Sequence, residues 1–125
     1  FGEGWDLPLG EAASCGLPII APNHTAHTDF CDKNCYLFNP DGMDVFPEAT
    51  RDIEWFDGQT FCSFGRRSLD ELISHLRSVR FHYDEAARRG LAFSHVFRSR
   101  YPWERAAHRA MELVSKYWGE YNAHV

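Results

Sequence analysis

Two carboxylates near the start of the chain, Glu3 and Glu11, are separated by seven residues, and their surroundings suggest chemistry with a phosphorylated sugar. Glu3 lies in the glycine-containing stretch Phe1-Gly2-Glu3-Gly4-Trp5-Asp6, and Glu11 lies within the segment Leu7-Pro8-Leu9-Gly10-Glu11-Ala12-Ala13-Ser14. A loop that opens a helix offers backbone N–H groups without intrahelical partners and the positive end of the helix dipole, which together suit phosphate. A carboxylate a turn or two further on can accept hydrogen bonds from sugar hydroxyls. The same loop–helix–strand pattern also serves as a purely structural turn in many α/β proteins, so spacing leaves both readings open.

The elements that would position these groups follow from local chemistry. Gly2 and Gly4 allow backbone conformations closed to other residues and a close approach to a ligand. Asp6 is suited to cap a helix, and Pro8 is tolerated within its first turn. Gly16 is placed to end that helix in a left-handed conformation, and Pro18 discourages continuation. The apolar run from Leu17 to Ala21 is expected to be a strand covered on both faces.

The residue identities go further than the spacing. Gly-Glu-Gly-Trp-Asp-Leu-Pro-Leu-Gly-Glu-Ala, followed by Cys-Gly-Leu-Pro-Ile-Ile-Ala, resembles the donor-site signature of retaining GT-B glycosyltransferases of family four, the "group 1" class. The resemblance is strong to about Pro40 and looser beyond it. It implies that Glu3 stands near the transferred sugar as the catalytic-site glutamate and that Glu11 hydrogen-bonds the nucleotide ribose. It also implies that Gly4, Trp5, Asp6 and Leu7 form the loop whose amides face sugar and phosphate oxygens. The pattern departs at Asp6 and Gly10, where many members carry glycine and a larger apolar residue. Asp6 thereby puts a negative charge near the expected diphosphate, and Gly10 weakens the helix.

Composition sets the outer limits. With 125 residues, 44% of them hydrophobic and 15% aromatic, the chain can form one domain with a modest core and is not of disordered type. A formal charge of −5 and a pI near 5.7 argue against a nucleic-acid partner or an anionic membrane surface. No apolar run of about eighteen residues is present to span a membrane. The resemblance places the chain in the second half of a donor-binding domain. On that basis an N-terminal acceptor domain, the early strands and a basic pair facing the diphosphate are expected to lie outside it.

Beyond Pro22, the polar stretch Asn23–Phe30 is expected to be a loop leading into a short helical turn. Cys35-Tyr36-Leu37-Phe38 is expected to form a second strand, stopped by Asn39-Pro40-Asp41-Gly42. Residues Val45–Arg51 have no clear period and read as loop. Ile53–Phe56 and Gln59–Cys62 flank Asp57-Gly58, a dipeptide favoured in tight hairpin turns. Ser68 and Glu71 form a capping-box pattern ahead of the apolar face Leu69, Leu72, Ile73, Leu76 and Val79. A second helix is expected from about Asp84 toward Arg98, weakened at Gly90. A third follows Tyr101-Pro102, with Trp103, Ala107, Ala110, Met111, Val114, Tyr117 and Trp118 at helical spacing, read as ordinary core. Tyr-Pro-Trp-Glu-Arg-Ala-Ala also resembles the family's C-terminal helix, which packs across its two-domain interface.

Three other chemistries compete. His24, His27, Cys31 and Cys35 are residue types that zinc accepts, but no Cys-x-x-Cys knuckle accompanies them, and no metal site is expected. A nucleophile such as Cys31 with His27 needs a third orienting group and a cleft. A glycosidase pair of Glu3 and Glu11 is a further alternative, at a separation that sequence does not fix. Cys15 is expected to be a small buried residue, as the resemblance implies. His75, His82, His95, His108 and His124 are expected to be solvated.

The resulting expectation is an α/β fold: a partial Rossmann-like unit with a small parallel sheet, a possible hairpin and C-terminal helices. Residues 1–66 would carry the loop–helix–strand core and 67–125 the helices of a single truncated donor domain. By resemblance, the parent enzyme binds a nucleoside-diphosphate sugar and transfers a hexose to an acceptor with retention, without a cofactor. The chain alone is not expected to be active, and a cytoplasmic location and homo-oligomeric state are expected. The alternatives are a non-catalytic structural or interaction module and a small zinc-binding domain.

Overall fold

The computed structural model describes residues 4–45 and 59–122, with side chains to residue 118. It is a mixed α/β structure, mostly helical, with two small sheets. Glu3, the segment Ile53–Phe56 and the Asp57-Gly58 turn lie outside the described residues.

The first unit forms as its sequence dictates. Helix α1 (Leu7–Ser14) has Asp6 as its N-cap and a proline in its first turn. It closes in a Schellman arrangement. Gly16, at φ 77°, donates its N–H to the Ala13 carbonyl at 3.0 Å, and Leu17 donates to the Ala12 carbonyl at 3.1 Å. Because Gly16 and Leu17 belong to this cap, strand β1 (Ile20–Pro22) starts later than the apolar run suggests. In the opening loop the left-handed residue is Asp6, at φ 51°, whereas Gly4 has no positive φ and open space around it. Gly4 is therefore not required by local geometry, contrary to the expectation.

After β1 the chain passes through the short helix α2 (His27–Phe30) and returns as strand β2 (Tyr36–Phe38), parallel to β1. Ile20 faces Tyr36, Ala21 faces Leu37 and Pro22 faces Phe38. The turn before β2 is clamped from outside by Arg89. Its Nε donates to the Asn34 carbonyl at 3.1 Å and its Nη2 to those of Lys33 and Cys35 at 3.0 Å, while the guanidinium lies 3.8 Å from the Tyr36 ring centroid.

Two expectations fail in the middle of the chain. Strand β3 (Gly42–Val45) stands where no strand was expected, and it pairs antiparallel with β4 (Thr60–Ser63), Met43 facing Cys62. The observed partner of the Thr60–Ser63 arm is thus Gly42–Val45. Its exposed, mixed sequence gives no period to detect, since pairing alone makes it a strand. Helix α3 (Arg66–Phe81) begins two residues before Ser68, with Gly65 as its N-cap, and no capping box forms. Ser68 is buried, with its Oγ donating to the Asn39 carbonyl at 2.7 Å, and Glu71 accepts from the Asn39 backbone N–H at 2.6 Å. The amide of Ser68 is satisfied by Asp41 Oδ1 at 3.2 Å, which also accepts from Arg67 Nε at 3.0 Å. A distant carboxylate does the capping. The apolar face of α3 stays partly in solvent, with Leu69 and Leu76 exposed.

Helix α4 (Tyr83–Arg100) supplies the other side of the core. Ala86, Gly90, Phe93, Ser94 and Phe97 recur on one face and are buried, and Ser94 Oγ donates to the Ser14 carbonyl at 3.1 Å. Leu9, Ala13, Ile19, Ala21, Phe30, Cys35, Phe93 and Phe97 make one continuous cluster. Gly90 is the closest contact of α4 with the α1 cap. A Cβ there would lie 2.7 Å from the Leu17 carbonyl carbon, and it would also crowd the Gly16 carbonyl oxygen. The glycine read as a weak point is what lets the two elements meet.

Helix α5 (Trp103–Asn122) overturns a further expectation. Its aromatic stripe is not core: every residue from Trp103 to Trp118 is exposed, Trp103 at 81%. Helix α4 is already packed against α1 and α3, and among the described residues no other element packs extensively on α5. Cys15 is likewise exposed rather than buried, because it is the C-cap residue of α1. His75 is half-buried, its Nε2 lying 3.1 Å from the Leu37 carbonyl oxygen and its ring 5.6 Å from that of Tyr36.

Gly90→Ala is expected to lower unfolding stability by about 1–3 kcal/mol in urea titrations, even though alanine favours a helix interior by up to about 1 kcal/mol. Gly10→Ala, whose Cβ would meet only the movable Phe97 ring at 3.2 Å, should cost less. A Gly90→Ala protein as stable as wild type would contradict the close approach.

Candidate functional site

The opening loop is held by one residue. Asp6 turns the backbone into the left-handed region and accepts from the Leu9 N–H through Oδ1 at 3.2 Å, while its Oδ2 lies 2.9 Å from His27 Nε2. His27 is buried, and its Nδ1 lies 3.2 Å from the His24 carbonyl oxygen. Both neighbours present oxygen acceptors to which a ring N–H can donate. The pair ties the start of α1 to α2. Asp6 thereby occupies the Leu9 amide in the first turn of α1, and its carboxylate opposes an anion at that helix end.

Trp5 packs on the core rather than reaching out as a loop ligand. Its ring centroid lies 4.9 Å from that of Tyr101, edge-on, 5.6 Å from Phe30 and 6.2 Å from Phe97. It remains 41% exposed on its outer side. Leu7 is exposed at the start of α1, and Gly4 is exposed before it.

Glu11 is exposed on α1 and has no side-chain partner among the described residues. It lies on an open groove of about 1030 Å³ between α1, the end of α4 and the start of α5. Trp5, Leu7, Gly10 and Ser14 share that wall with it. Phe97, Tyr101 and Trp103 add apolar surface opposite, and Arg98, Arg100, Arg105 and Arg109 add four cations against the carboxylates of Glu11 and Glu104. Arg105 is anchored to the carbonyls of Arg100 and Ser99 at 3.0 and 3.4 Å, and Arg109 pairs with Glu112 at 3.1 Å. Arg98 and Arg100 have no side-chain partner among the described residues. The groove therefore combines an exposed carboxylate, aromatic faces and guanidinium groups, a set suited to a sugar, a base and an anion.

Sequence reasoning named Glu11, Trp5 and Leu7 on this groove and missed its arginines. Arg105 and Arg109 fall outside the apolar spacing of that helix, and only the turn at Tyr101-Pro102 brings them toward α1. The visible signal was the run Arg98-Ser-Arg100 followed by Arg105 and Arg109.

The competing chemistries find little support in this geometry. His27 spends both ring nitrogens on Asp6 and His24, and among the described residues no three His, Cys, Asp or Glu side chains converge as metal ligands. The Cys31 thiol is held well above its ordinary pKa by its hydrogen bond to Cys35, by burial and by nearby negative charge, which opposes a nucleophilic role with His27. Cys35 is shifted down, chiefly by the same hydrogen bond.

Compared with known proteins, the chain matches no family model, no curated protein and no solved structure.

Proposed function

We propose that the chain is a donor-side domain of a retaining GT-B-type glycosyltransferase that binds a nucleoside-diphosphate sugar, acting in the cytoplasm. The observation that carries the reading is the carboxylate of Glu11, without a side-chain partner among the described residues, on a groove lined with arginines and tryptophans. It adds to the resemblance of the Glu3–Glu11 segment, whose second glutamate contacts the ribose in that family. In this reading Glu11 accepts hydrogen bonds from the ribose, and Trp5 or Trp103 offers a face to the base or sugar. Arg98 and Arg100 neutralise the diphosphate, a role the N-terminus of α1 is less suited to with the Asp6 carboxylate on it. Charge on a departing diphosphate is the quantity such a site must stabilise, and fixed guanidinium groups do so without a metal. Glu3 keeps the sugar-side role that the resemblance implies.

Ligand-observed NMR with UDP, GDP and ADP tests the reading. At least one nucleotide should bind, and Glu11→Ala should weaken it by about 1.5–3 kcal/mol, the range for hydrogen bonds to charged groups. Binding of none would favour the alternative, a non-catalytic interaction module. Equal affinities for wild type and Glu11→Ala would remove Glu11 from the ribose role.

The same reading includes self-association, favoured by the bare apolar side of α5, where Trp103, Met111, Val114, Tyr117 and Trp118 are exposed together. Sedimentation equilibrium at micromolar concentration should find a dimer or higher oligomer that Met111→Glu weakens. A folded monomer of 14.5 kDa would contradict it.

A further inference from the structure

Helices α4 and α5 are joined by Tyr101 and Pro102, and the groove lies against that junction. Tyr101 still belongs to the α4 ladder. It donates its N–H to the Phe97 carbonyl at 3.0 Å, and its ring centroid lies 5.1 Å from that of Phe97 and 4.9 Å from that of Trp5. Pro102 then breaks the ladder, having no N–H to give the Arg98 carbonyl. The last carbonyls of α4 thus lose the donors that a continued helix would supply. Arg105, in the first turn of α5, reaches back to two of them. Its Nη1 donates to the Arg100 carbonyl at 3.0 Å and its Nη2 to the Ser99 carbonyl at 3.4 Å. A guanidinium suits this contact, because its rigid fork spans successive carbonyls where an ammonium is a single point charge. A cation near the start of α5 is disfavoured by the dipole of that helix, whereas the C-terminal end of α4 favours it.

We propose that Arg105 is a positioning residue of the groove: through the carbonyls of Ser99 and Arg100 it holds α5 at a fixed angle to α4. That angle sets the width of the groove. Trp103, Glu104 and Arg109 line it from α5, and Trp5, Leu7 and Glu11 line it from the α1 side. Among the described residues no other element packs extensively on α5, so its placement relies on the junction and on this tie. Arg105 acts on the occupant of the groove through the angle and not by touching it. The identity of that occupant, a nucleoside diphosphate, rests on the donor reading, whereas the tie itself does not.

Distances between nitroxide labels on the two helices, read by double electron–electron resonance, test the proposal. The labels sit at Ala92→Cys on α4 and Lys116→Cys on α5, both exposed positions, with Cys15 and Cys31 replaced by serine. Labelled protein is diluted into an excess of unlabelled protein, so that distances within one chain are read. A narrow distribution is expected with Arg105 in place, a broad one in Arg105→Met, and an intermediate one in Arg105→Lys. The urea midpoint of Arg105→Met should match that of wild type, since α5 adds no residue to the core cluster. In the otherwise wild-type chain, Arg105→Met should weaken the nucleotide seen by ligand-observed NMR by up to about tenfold, and Arg105→Lys should recover part of the loss. A broad distribution with Arg105 in place, or a narrow one in Arg105→Met, overturns the proposal. Weaker nucleotide binding at unchanged distances overturns it equally, because Arg105 would then touch the ligand. If wild-type protein binds no nucleotide, the donor reading fails while the distances still decide the tie.

Discussion

The arrangement of this chain depends on the carboxylate of Asp6. One oxygen completes the first turn of α1 and the other holds the buried ring of His27, so a single side chain fixes helix α1 against helix α2. Removing it would expose an amide at the start of α1 and leave His27 buried with a ring nitrogen unpaired, which costs more than the loss of an ordinary surface contact. The left-handed backbone of Asp6 is part of the same device, since it aims the carboxylate back at the helix and across to α2 at once. Trp5, the preceding residue, is delivered by this turn onto Phe30, Phe97 and Tyr101.

From that point the rest is positioned by packing. With α1 fixed, its inner face, Leu9 and Ala13, meets Phe93 and Phe97 of α4. Gly90 lets α4 reach the Gly16 cap, and Arg89, one residue earlier, reaches the turn before β2. The outer face of α1 then carries Glu11 toward the end of α4, where the chain bends at Tyr101-Pro102 and supplies the arginines. A binding groove results from the angle between helices, and its α1 and α4 walls belong to elements whose other face is occupied by the core.

How much of this was legible depended on whether the cause was local. The start and end of α1 were readable because the Asp6 cap, the early proline and the left-handed Gly16 act within a few residues. The parallel strands were readable from short apolar runs between turn residues. The true start of α3 was not, because its cap is Asp41, at a distance in sequence, and the Ser68–Glu71 pattern was drawn instead to Asn39. Strand β3 exists only through its pairing with β4. The α5 stripe shows the limit of periodicity: the pattern predicts an amphipathic helix, which forms, but it cannot say what covers the apolar side. His27 was noticed only as a zinc ligand type or as a partner for a Cys31 nucleophile, and Asp6 was read as a departure from a glycine. The backbone conformation that glycine would favour is present at Asp6, with a carboxylate added.

The direct measurement of this account is a double-mutant cycle between Asp6 and His27, using Asp6→Gly, which tolerates the left-handed backbone, and His27→Leu, followed by urea unfolding of the four proteins. The two residues should couple by about 1–3 kcal/mol, because each single change leaves a charged or polar partner behind. Additive effects, within about 0.5 kcal/mol, would mean that α1 is held without this pair and would contradict the central role given to Asp6.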